Sequence, residues 1–232
     1  MNTYVLREDL SFCDAGGRLV FLDIASDRYL RLPPALEATL VAYLSAEPPA
    51  ALDLTELVER KILVDRPSGS RSNSTPSTEA PRRSAMENPF HVRPVRMSEV
   101  FEIFAIVLHT RLKLKRRPFR EVLDILADGK LSPTNCIQTS QASPTHEHEH
   151  EHRIIDAAAV FRRIRLYVPV GMRCLVDSVA MARFLRRRSL HAHVVFGVAV
   201  DPFSAHCWVQ AGDLVLNDTL GNVTSHIPIR VV

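Results

Sequence analysis

The 232-residue sequence lacks the features that mark several large classes of protein. No apolar run approaches the about 18 residues needed to span a bilayer, and no secretory-signal pattern is present. The four cysteines include no C-x-x-C pair. The formal net charge is only +3 with the basic residues spread out, which argues against a tight nucleic-acid binder. We therefore expect a soluble, cytoplasmic protein with free thiols, no nucleic-acid partner and no membrane insertion.

Serine and proline are concentrated in one stretch, Arg66 to Pro89. Six Ser, four Pro and two Thr make up twelve of its 24 residues, and no hydrophobic periodicity continues through it. This composition predicts a flexible linker over residues 66–89. The linker would join a small domain, residues 1–65, to a larger domain, residues 90–232.

The small domain begins with β-like segments and ends with helical ones. Arg18–Ile24 and Arg28–Leu32, separated by a short polar turn, predict a hairpin. A helix is predicted after Pro34, and Asp53 with Glu56 forms a capping-box pattern before a second, short helix. About 65 residues bury too small a core for an elaborate pocket, so we expect this domain to bind a partner.

The large domain has the opposite order, with helices first. A helix is predicted after Ser98, apolar nearly all round and therefore buried, and another over residues 154–165. After the helix of residues 174–188 come three strand-like runs, "HAHVVFGVAV", "AHCWVQ" and "DLVLND". Helices followed by an antiparallel sheet predict an α+β fold.

Four histidines alternate with glutamates in "HEHEHEH", residues 146–152. Such a run can bind a divalent metal weakly. It lies in a polar stretch, roughly residues 132–152, that predicts a solvated loop. We therefore assign no metal site to it.

The stretch "GMRCLVDSVAMARFLRRR", Gly171–Arg188, places Cys174 at the start of an apolar helix. The amides of the first turn and the positive end of the helix dipole stabilise a thiolate. A small buried side chain is nevertheless the commoner role of a cysteine. Catalysis would require a base and a group that orients the base.

The stretch "AHCWVQAGDLVLND" predicts both partners. With residues 211–213 as the loop of a hairpin, His206 faces Asp218 on the neighbouring strand. Directly opposed residues have Cβ atoms about 5 Å apart, within reach of a hydrogen bond between their side chains. A two-residue loop would shift this register and remove the inference.

Cys174, His206 and Asp218 then follow the chain order of a nucleophile, its base and the orienter of that base. Each has a plainer interpretation, His206 as a partly buried strand residue and Asp218 as the end of a strand. The competing candidates are His191 and His193 as the base and Asn217 as the orienter, although Asn217 should face the opposite side of the sheet.

At these residues the chain resembles the leader peptidases of lasso-peptide biosynthesis, the B proteins, which have a transglutaminase-like, papain-related fold. The matching stretches are "RCLVDSVAMARFLRRR", "VVFGVAVDPFSAHCWVQ" and "GDLVLND", and "RLKLKRRPFREVL" is similar to the family's helical lead-in. The resemblance covers most of residues 95–220. It implies a cysteine peptidase domain with the triad Cys174, His206 and Asp218 and with no cofactor or metal.

Three positions depart from the family pattern. Asp177 lies where the family often has a basic residue, Ser189 where a glycine is usual, and Cys207 where an alanine is common. None belongs to the triad. Asp177, one turn after Cys174, would oppose thiolate formation if it lies close.

The first 65 residues resemble the small winged-helix-like leader-recognition domain, similar to the pyrroloquinoline-quinone D protein. The edge of a hairpin strand and the short helix after Asp53 would form a groove for an extended peptide. The candidates for its lining are Tyr29, Arg31, Leu54 and Leu57. The alternative is that these residues only fill a small core.

The resemblance implies that the small domain holds the leader of a precursor peptide while the large domain cuts it off. The released amine would pass to an ATP-dependent cyclase, which is the expected second partner. Two other functions stay open from the sequence. One is acyl transfer to an amine by the same triad, and the other is a non-catalytic adaptor whose winged-helix-like domain binds peptide or DNA.

Overall fold

The computed structural model describes residues 4–45, 52–65, 78–87, 93–117, 119–121, 123 and 144–232. These residues fall into two compact units, Met1–Thr75 and Pro76–Val232, and the division between the units lies inside the predicted linker. Residues 66–77 and 88–89 of that linker, and residues 132–143 of the predicted polar loop, lie outside the described residues.

An antiparallel hairpin forms part of the first unit, as the sequence predicts. Strands β3 (Leu19–Asp23) and β4 (Arg28–Leu30) pair across a turn in which the Asp23 carboxylate accepts the backbone N–H of Ala25 at 3.0 Å. Strand β2 (Leu10–Asp14) pairs with the other side of β3. Within the described residues, β4 therefore lies at the edge of a three-stranded sheet.

Two helices and a second small sheet complete this unit. Strands β1 and β5 pair antiparallel, which the sequence did not predict. The capping box expected for Asp53 and Glu56 does not form, because Asp53 accepts the N–H of Thr55 instead. The additional elements are β1 (Tyr4–Leu6), α1 (Pro34–Leu44), α2 (Thr55–Glu59) and β5 (Leu63–Asp65).

One apolar core lies between the helices and strands of the first unit. Leu57 is 0% exposed in this core, so it is a core residue and not part of the lining of an open groove, and that prediction was wrong. The physical reason is the length of α2. A single turn of helix has one position that faces inward, and Leu57 is the only buried residue of α2.

Helices and a sheet form the second unit, so the α+β prediction for the large domain is confirmed. Helix α5 is central, because it packs against α3, α4 and the strand β8. No helix among the described residues is long and apolar enough to cross a membrane. The helices are α3 (Met97–Arg116), α4 (Pro144–Arg165), α5 (Cys174–Arg186) and α6 (Leu220–Thr224).

Helix α3 is less buried than its sequence predicts. Ile103, Ile106 and Val107 face the core. Several other apolar side chains of the helix are exposed, namely Met97, Phe101, Leu108 and Leu112. A helix that is apolar on most faces needs cover on every side, whereas within the described residues the main packing partners of α3 are α5 and α4.

The sheet of the second unit has the strand order β10-β7-β8-β9-β6. Strands β7 and β8 form its longest pairing, an antiparallel hairpin of eight residue pairs. The three strand-like runs of the sequence correspond to β7, β8 and β9. The strands are β6 (Arg83–Ser84), β7 (His193–Val200), β8 (Phe203–Ala211), β9 (Leu214–Val215) and β10 (Ile227–Val231).

Strand β6 corrects the extent of the predicted linker, because it lies within residues 66–89. It pairs parallel with β9, and the Ala85 N–H donates to the Val215 carbonyl at 2.8 Å. Residues 78–87 therefore belong to the second unit. A two-residue strand joins a sheet through its backbone, so no hydrophobic periodicity marks it in the sequence.

The "HEHEHEH" run is helical, which contradicts the predicted loop, since residues 146–152 form part of α4. His148, His150 and His152 are exposed, and the Glu151 carboxylate pairs with Arg83 at 2.6 Å. Alternation places the imidazoles on one side of a strand, whereas it spreads them around a helix. No group of three or more metal-ligating side chains is found within the described part of the chain.

Candidate active site

Cys174 is the first residue of α5, and its side chain is exposed. The preceding residue, Arg173, is extended, with φ of −143° and ψ of 125°, so the helix begins sharply at Cys174. The rest of α5 is anchored in the core, where Val179, Ala180 and Phe184 are 0% exposed. The first-turn amides, which have no acceptor within the helix, favour a negative charge at this end.

His206 lies in the middle of β8, opposite Gly197 of β7. This position requires glycine, because a Cβ at Gly197 would lie 2.8 Å from the ring of Trp208. Trp208 is fully buried and stacks with the His206 ring, their centroids 6.2 Å apart. The His226 ring lies 5.3 Å away. Neighbouring rings therefore limit the orientations that His206 can adopt.

The hairpin between β8 and β9 has a different register from the predicted one. Gln210 pairs with Val215, which leaves a two-residue turn in place of the predicted loop of residues 211–213. This register alone would place Thr219, rather than Asp218, opposite His206. The chain leaves the ladder after Val215, however, and the Asp218 side chain reaches His206 from outside the sheet.

Asp218 accepts hydrogen bonds at both carboxylate oxygens. Oδ2 accepts from His206 Nε2 and from Asn222 Nδ2, the latter at 2.9 Å, and Oδ1 accepts the Thr219 N–H at 2.7 Å. Burial alone would raise the pKa of Asp218, but these bonds hold that pKa below its ordinary value. The carboxylate is therefore charged at neutral pH, and Nδ1 is the ring nitrogen of His206 left for another partner.

Residues of the supposed linker support the Asp218 loop. The Ser84 hydroxyl donates to the Asp218 carbonyl at 2.6 Å. Arg162 of α4 donates to the carbonyls of Leu216 and Ala85, the second at 3.0 Å. The position of Asp218 thus depends on β6 and α4 as well as on the strand β9 that precedes it.

A second polar network joins the Cys174 helix to the His206 strand. Ser178, 0% exposed, donates to the Cys207 carbonyl at 3.1 Å and accepts from Asn217 Nδ2 at 2.9 Å. Ser178 follows Cys174 by one helical turn, and Cys207 is next to His206. The network therefore fixes the distance between the start of the Cys174 helix and the His206 strand. Asn217 binds Ser178 in this network and does not orient His206.

The side chain next to His206 contacts the sulfur of Cys174. Cys207 and His206 both line the cavity wall beside Cys174, and both interact with its sulfur. The bonds from Cys207 and His206 lower the pKa of Cys174 to about 4, although burial opposes the shift. The bond to Cys174 and burial raise the pKa of Cys207, so Cys207 stays a thiol. This role of Cys207 was not predicted from the sequence.

The hydrogen bonds to Asp218 and to Cys174 raise the pKa of His206 to about 9, although burial opposes the shift. Cys174 is protonated below about pH 4, and His206 loses its proton above about pH 9. Between these values the pair is a thiolate beside an imidazolium. This is the charge state that a cysteine nucleophile needs at neutral pH.

Asp177 is close to Cys174, but a cation lies against it. Arg165, 3% exposed, donates from Nε to the Asp177 carboxylate at 2.5 Å. Arg165 also donates to the carbonyls of Val170 and Gly171, at 2.9 and 3.2 Å. Burial raises the pKa of Asp177 while Arg165 lowers it. The expected repulsion of the thiolate is therefore offset, and the loop before α5 is held in place.

A cavity of about 630 Å³ lies beside the sulfur, and Cys174, His206 and Asp218 all line it. Its apolar lining comes from Met86, Phe161, Leu166, Met172 and Met181. An extended peptide could reach the sulfur there, because Cys174 is exposed.

The other predicted site residues lie elsewhere. His193 opposes Gln210, four residues along β8 from His206, and His191 precedes β7. In the first unit, Tyr29 of the edge strand β4 is half-buried and Arg31 is exposed. Leu54, also half-buried, packs against the core.

Residues 122–231 match the family model of the transglutaminase-like superfamily. The C-terminal part of the chain is therefore a transglutaminase-like domain. This superfamily includes cysteine peptidases. A 45-residue segment of the chain is also 47% identical to the microcin J25-processing protein McjB of Escherichia coli.

The segment shared with McjB covers 19% of this chain and 22% of that protein. No solved structure matches the chain. The transglutaminase-like domain and the similarity to McjB together support the resemblance to lasso-peptide B proteins. Neither match shows that residues 1–65 are a domain similar to the pyrroloquinoline-quinone D protein, which stays a prediction.

Proposed function

We propose that this protein cleaves the leader from a ribosomally made lasso-peptide precursor by thiol proteolysis. The observation that carries the proposal is the grouping of Cys174, His206 and Asp218 at the wall of one cavity, with a hydrogen bond between His206 and Asp218. In this group Cys174 is the nucleophile, His206 moves the proton, and Asp218 orients the ring.

In the first step the Cys174 thiolate attacks the carbonyl carbon of the peptide bond between leader and core. The amides of the first turn of α5, at the positive end of the helix, are proposed to donate to the oxygen that becomes negative. The C–N bond then breaks, and the His206 imidazolium protonates the leaving amine of the core peptide. The products of this step are a thioester of the leader on Cys174 and a free core amine.

In the second step water attacks the thioester while neutral His206 takes a proton from it. The C–S bond breaks, the leader leaves as a carboxylic acid, and the Cys174 thiolate returns beside the imidazolium. Asp218 keeps its hydrogen bond to Nε2 throughout, which leaves Nδ1 to face the reacting atoms. The free core amine would then pass to an ATP-dependent cyclase, the second proposed partner.

Residues 1–65 are proposed to recognise the leader. The edge strand β4 offers its outer backbone groups to an added strand, and Tyr29 and Arg31 lie on or beside it. Leu54 precedes α2 and is half-exposed, so it stays a candidate for the groove. Leu57 is excluded by its burial.

We expect the full chain to cut a lasso-peptide precursor into two pieces, which mass spectrometry would identify. In H₂¹⁸O the leader piece should gain one ¹⁸O, because water attacks the thioester. A leader piece that carries an added amine would instead favour acyl transfer. A precursor that stays intact after long incubation with excess folded protein would contradict the proposal.

If the first unit binds the leader, the full chain should cleave the precursor with a higher kcat/KM than a fragment of residues 76–232. A tethered substrate has an effective concentration of order millimolar near Cys174. The fragment should therefore have a kcat/KM at least about tenfold lower, mainly through KM. Residues 1–65 added separately should restore part of this rate. Equal KM values would show that leader recognition lies in the second unit.

A further inference from the structure

Arginines are the main charged groups around the cavity at Cys174. Two of the four are bound within the protein. Arg165 pairs with Asp177 at 2.5 Å, and Arg162 donates to backbone carbonyls. The four are Arg162, Arg163, Arg165 and Arg173.

Arg163 and Arg173 differ from the other two. Both side chains are exposed, both line the cavity, and neither guanidinium has a hydrogen bond or ion pair with another residue in the described ranges. Arg163 lies near the end of α4, and Arg173 directly precedes Cys174. Two guanidinium groups at the wall of the same cavity, one at each end in sequence of the loop before α5, therefore stay available for a ligand.

The other charges of the cavity cancel or add to this positive charge. Its two carboxylates, Asp177 and Asp218, are paired with Arg165 and His206. Arg162 binds only neutral carbonyls, so its charge is left to balance the negative Cys174 thiolate, and the charges of Arg163 and Arg173 remain. The cavity is consequently positive overall, and its low-dielectric apolar wall strengthens the field that a ligand meets.

We propose that Arg163 and Arg173 form a subsite for a carboxylate side chain, an Asp or Glu of the peptide next to the bond that is cut. A guanidinium binds a carboxylate through two parallel hydrogen bonds, which gives geometry as well as attraction. The assignment of a peptide as the substrate rests on the proposed function. The positive charge of the subsite is independent of the proposed function, and small charged reagents can measure it.

The first experiment compares two alkylating reagents at Cys174 in the full chain. Iodoacetate and iodoacetamide both form a C–S bond with the thiolate and release iodide, but only iodoacetate carries a carboxylate. The quantity measured is the rate with iodoacetate divided by the rate with iodoacetamide. A change in the fraction of Cys174 thiolate alters both rates equally and leaves this ratio unchanged. Arg163→Glu with Arg173→Glu should lower this ratio by about tenfold at low salt, and the difference should shrink at high salt.

A control variant separates local from overall charge. Lys115→Glu with Arg116→Glu changes the net charge by the same amount at exposed positions of α3 that do not line the cavity. The control should keep the ratio within about twofold of the unaltered chain. A ratio that is unchanged in the Arg163 and Arg173 variant, or lowered equally in the control, would overturn the subsite.

The second experiment locates the carboxylate on the substrate. Precursor peptides carry Glu or Gln at single positions on the leader side or on the core side of the cut. At one position Glu should exceed Gln in kcat/KM by about tenfold, and the double variant should remove that preference. Equal rates at every position would overturn the substrate preference. If no peptide is cut while the alkylation ratio still falls, the proposed function fails and the anion subsite stands.

Discussion

Replacing Cys174 with alanine is expected to abolish cleavage of the precursor while the protein stays folded. The sulfur forms the only covalent bond between enzyme and substrate in the proposed reaction, so the rate should fall by at least about 1000-fold. The side chain is exposed, and surface substitutions usually change the free energy of unfolding by only about 0.5 kcal/mol. The measurement is the rate of leader release beside a thermal unfolding curve.

Cys13→Ala provides the control for this substitution. Cys13 is a free cysteine buried in the first unit, so its loss removes a thiol without touching the cavity. The control variant should cleave at the normal rate. Cleavage at the normal rate by a folded Cys174→Ala protein would rule out the mechanism.

His206 and Asp218 should behave as one unit in a double-mutant cycle. His206→Ala should lower kcat by about 100- to 10,000-fold, because both proton transfers are lost. Asp218→Asn should cost less, since an amide oxygen can still accept from Nε2. With His206 already replaced, Asp218→Asn should add little. Independent, multiplicative losses would show that Asp218 has only a structural role.

The Asp218→Asn variant also changes the pH dependence of cleavage, which a purely structural role for Asp218 would leave unaltered. The hydrogen bond from His206 to Asp218 is the largest cause of its raised pKa of about 9. The active imidazolium is lost as the pH rises through that value. Loss of the negative charge in Asp218→Asn lowers this pKa, so the alkaline limb of kcat/KM should move to lower pH. An alkaline limb that does not move would separate Asp218 from the titration of His206.

The contact between His206 and Asp218 could be predicted from the sequence, but the register used to predict it was wrong. The turn has two residues, so regular pairing would have moved Asp218 out of reach. The side chain of Asn217 takes the Val209 N–H at 2.7 Å and ends the ladder. Such a departure from a strand depends on side-chain bonds to distant residues, which periodicity does not contain.

Local composition also misplaced two segments. Residues 78–87 have the serine and proline content of a linker, yet Ser84 supports the Asp218 loop. Residues 146–152 have the polar composition of a solvated loop, yet they form part of helix α4. Backbone pairing with β9 determines the structure of the first segment, and extension of helix α4 determines that of the second. Neither backbone pairing nor helix extension requires an apolar pattern in the sequence.

The helix boundary at Cys174 was predictable because its causes are local. A long apolar period starts there, and the residues before it contain a glycine and a proline. At the other end, Ser189 takes a positive φ of 54°, the conformation that glycine usually supplies. The partners Cys207, Ser178 and Asn222 were not predicted, because their roles follow from how a helix and a sheet pack together.

The most direct test of the central claim is a covalent label carried by the leader itself. A leader peptide with a C-terminal chloromethyl ketone places its electrophile where the bond to be cut would lie, and thiolate attack releases chloride. Digestion and mass spectrometry of the labelled full chain should find the leader on Cys174, with little on Cys13, Cys136 or Cys207. Excess unmodified leader should slow the labelling. Labelling of another cysteine in place of Cys174, or a rate equal to that of an unrelated chloromethyl ketone, would contradict the account.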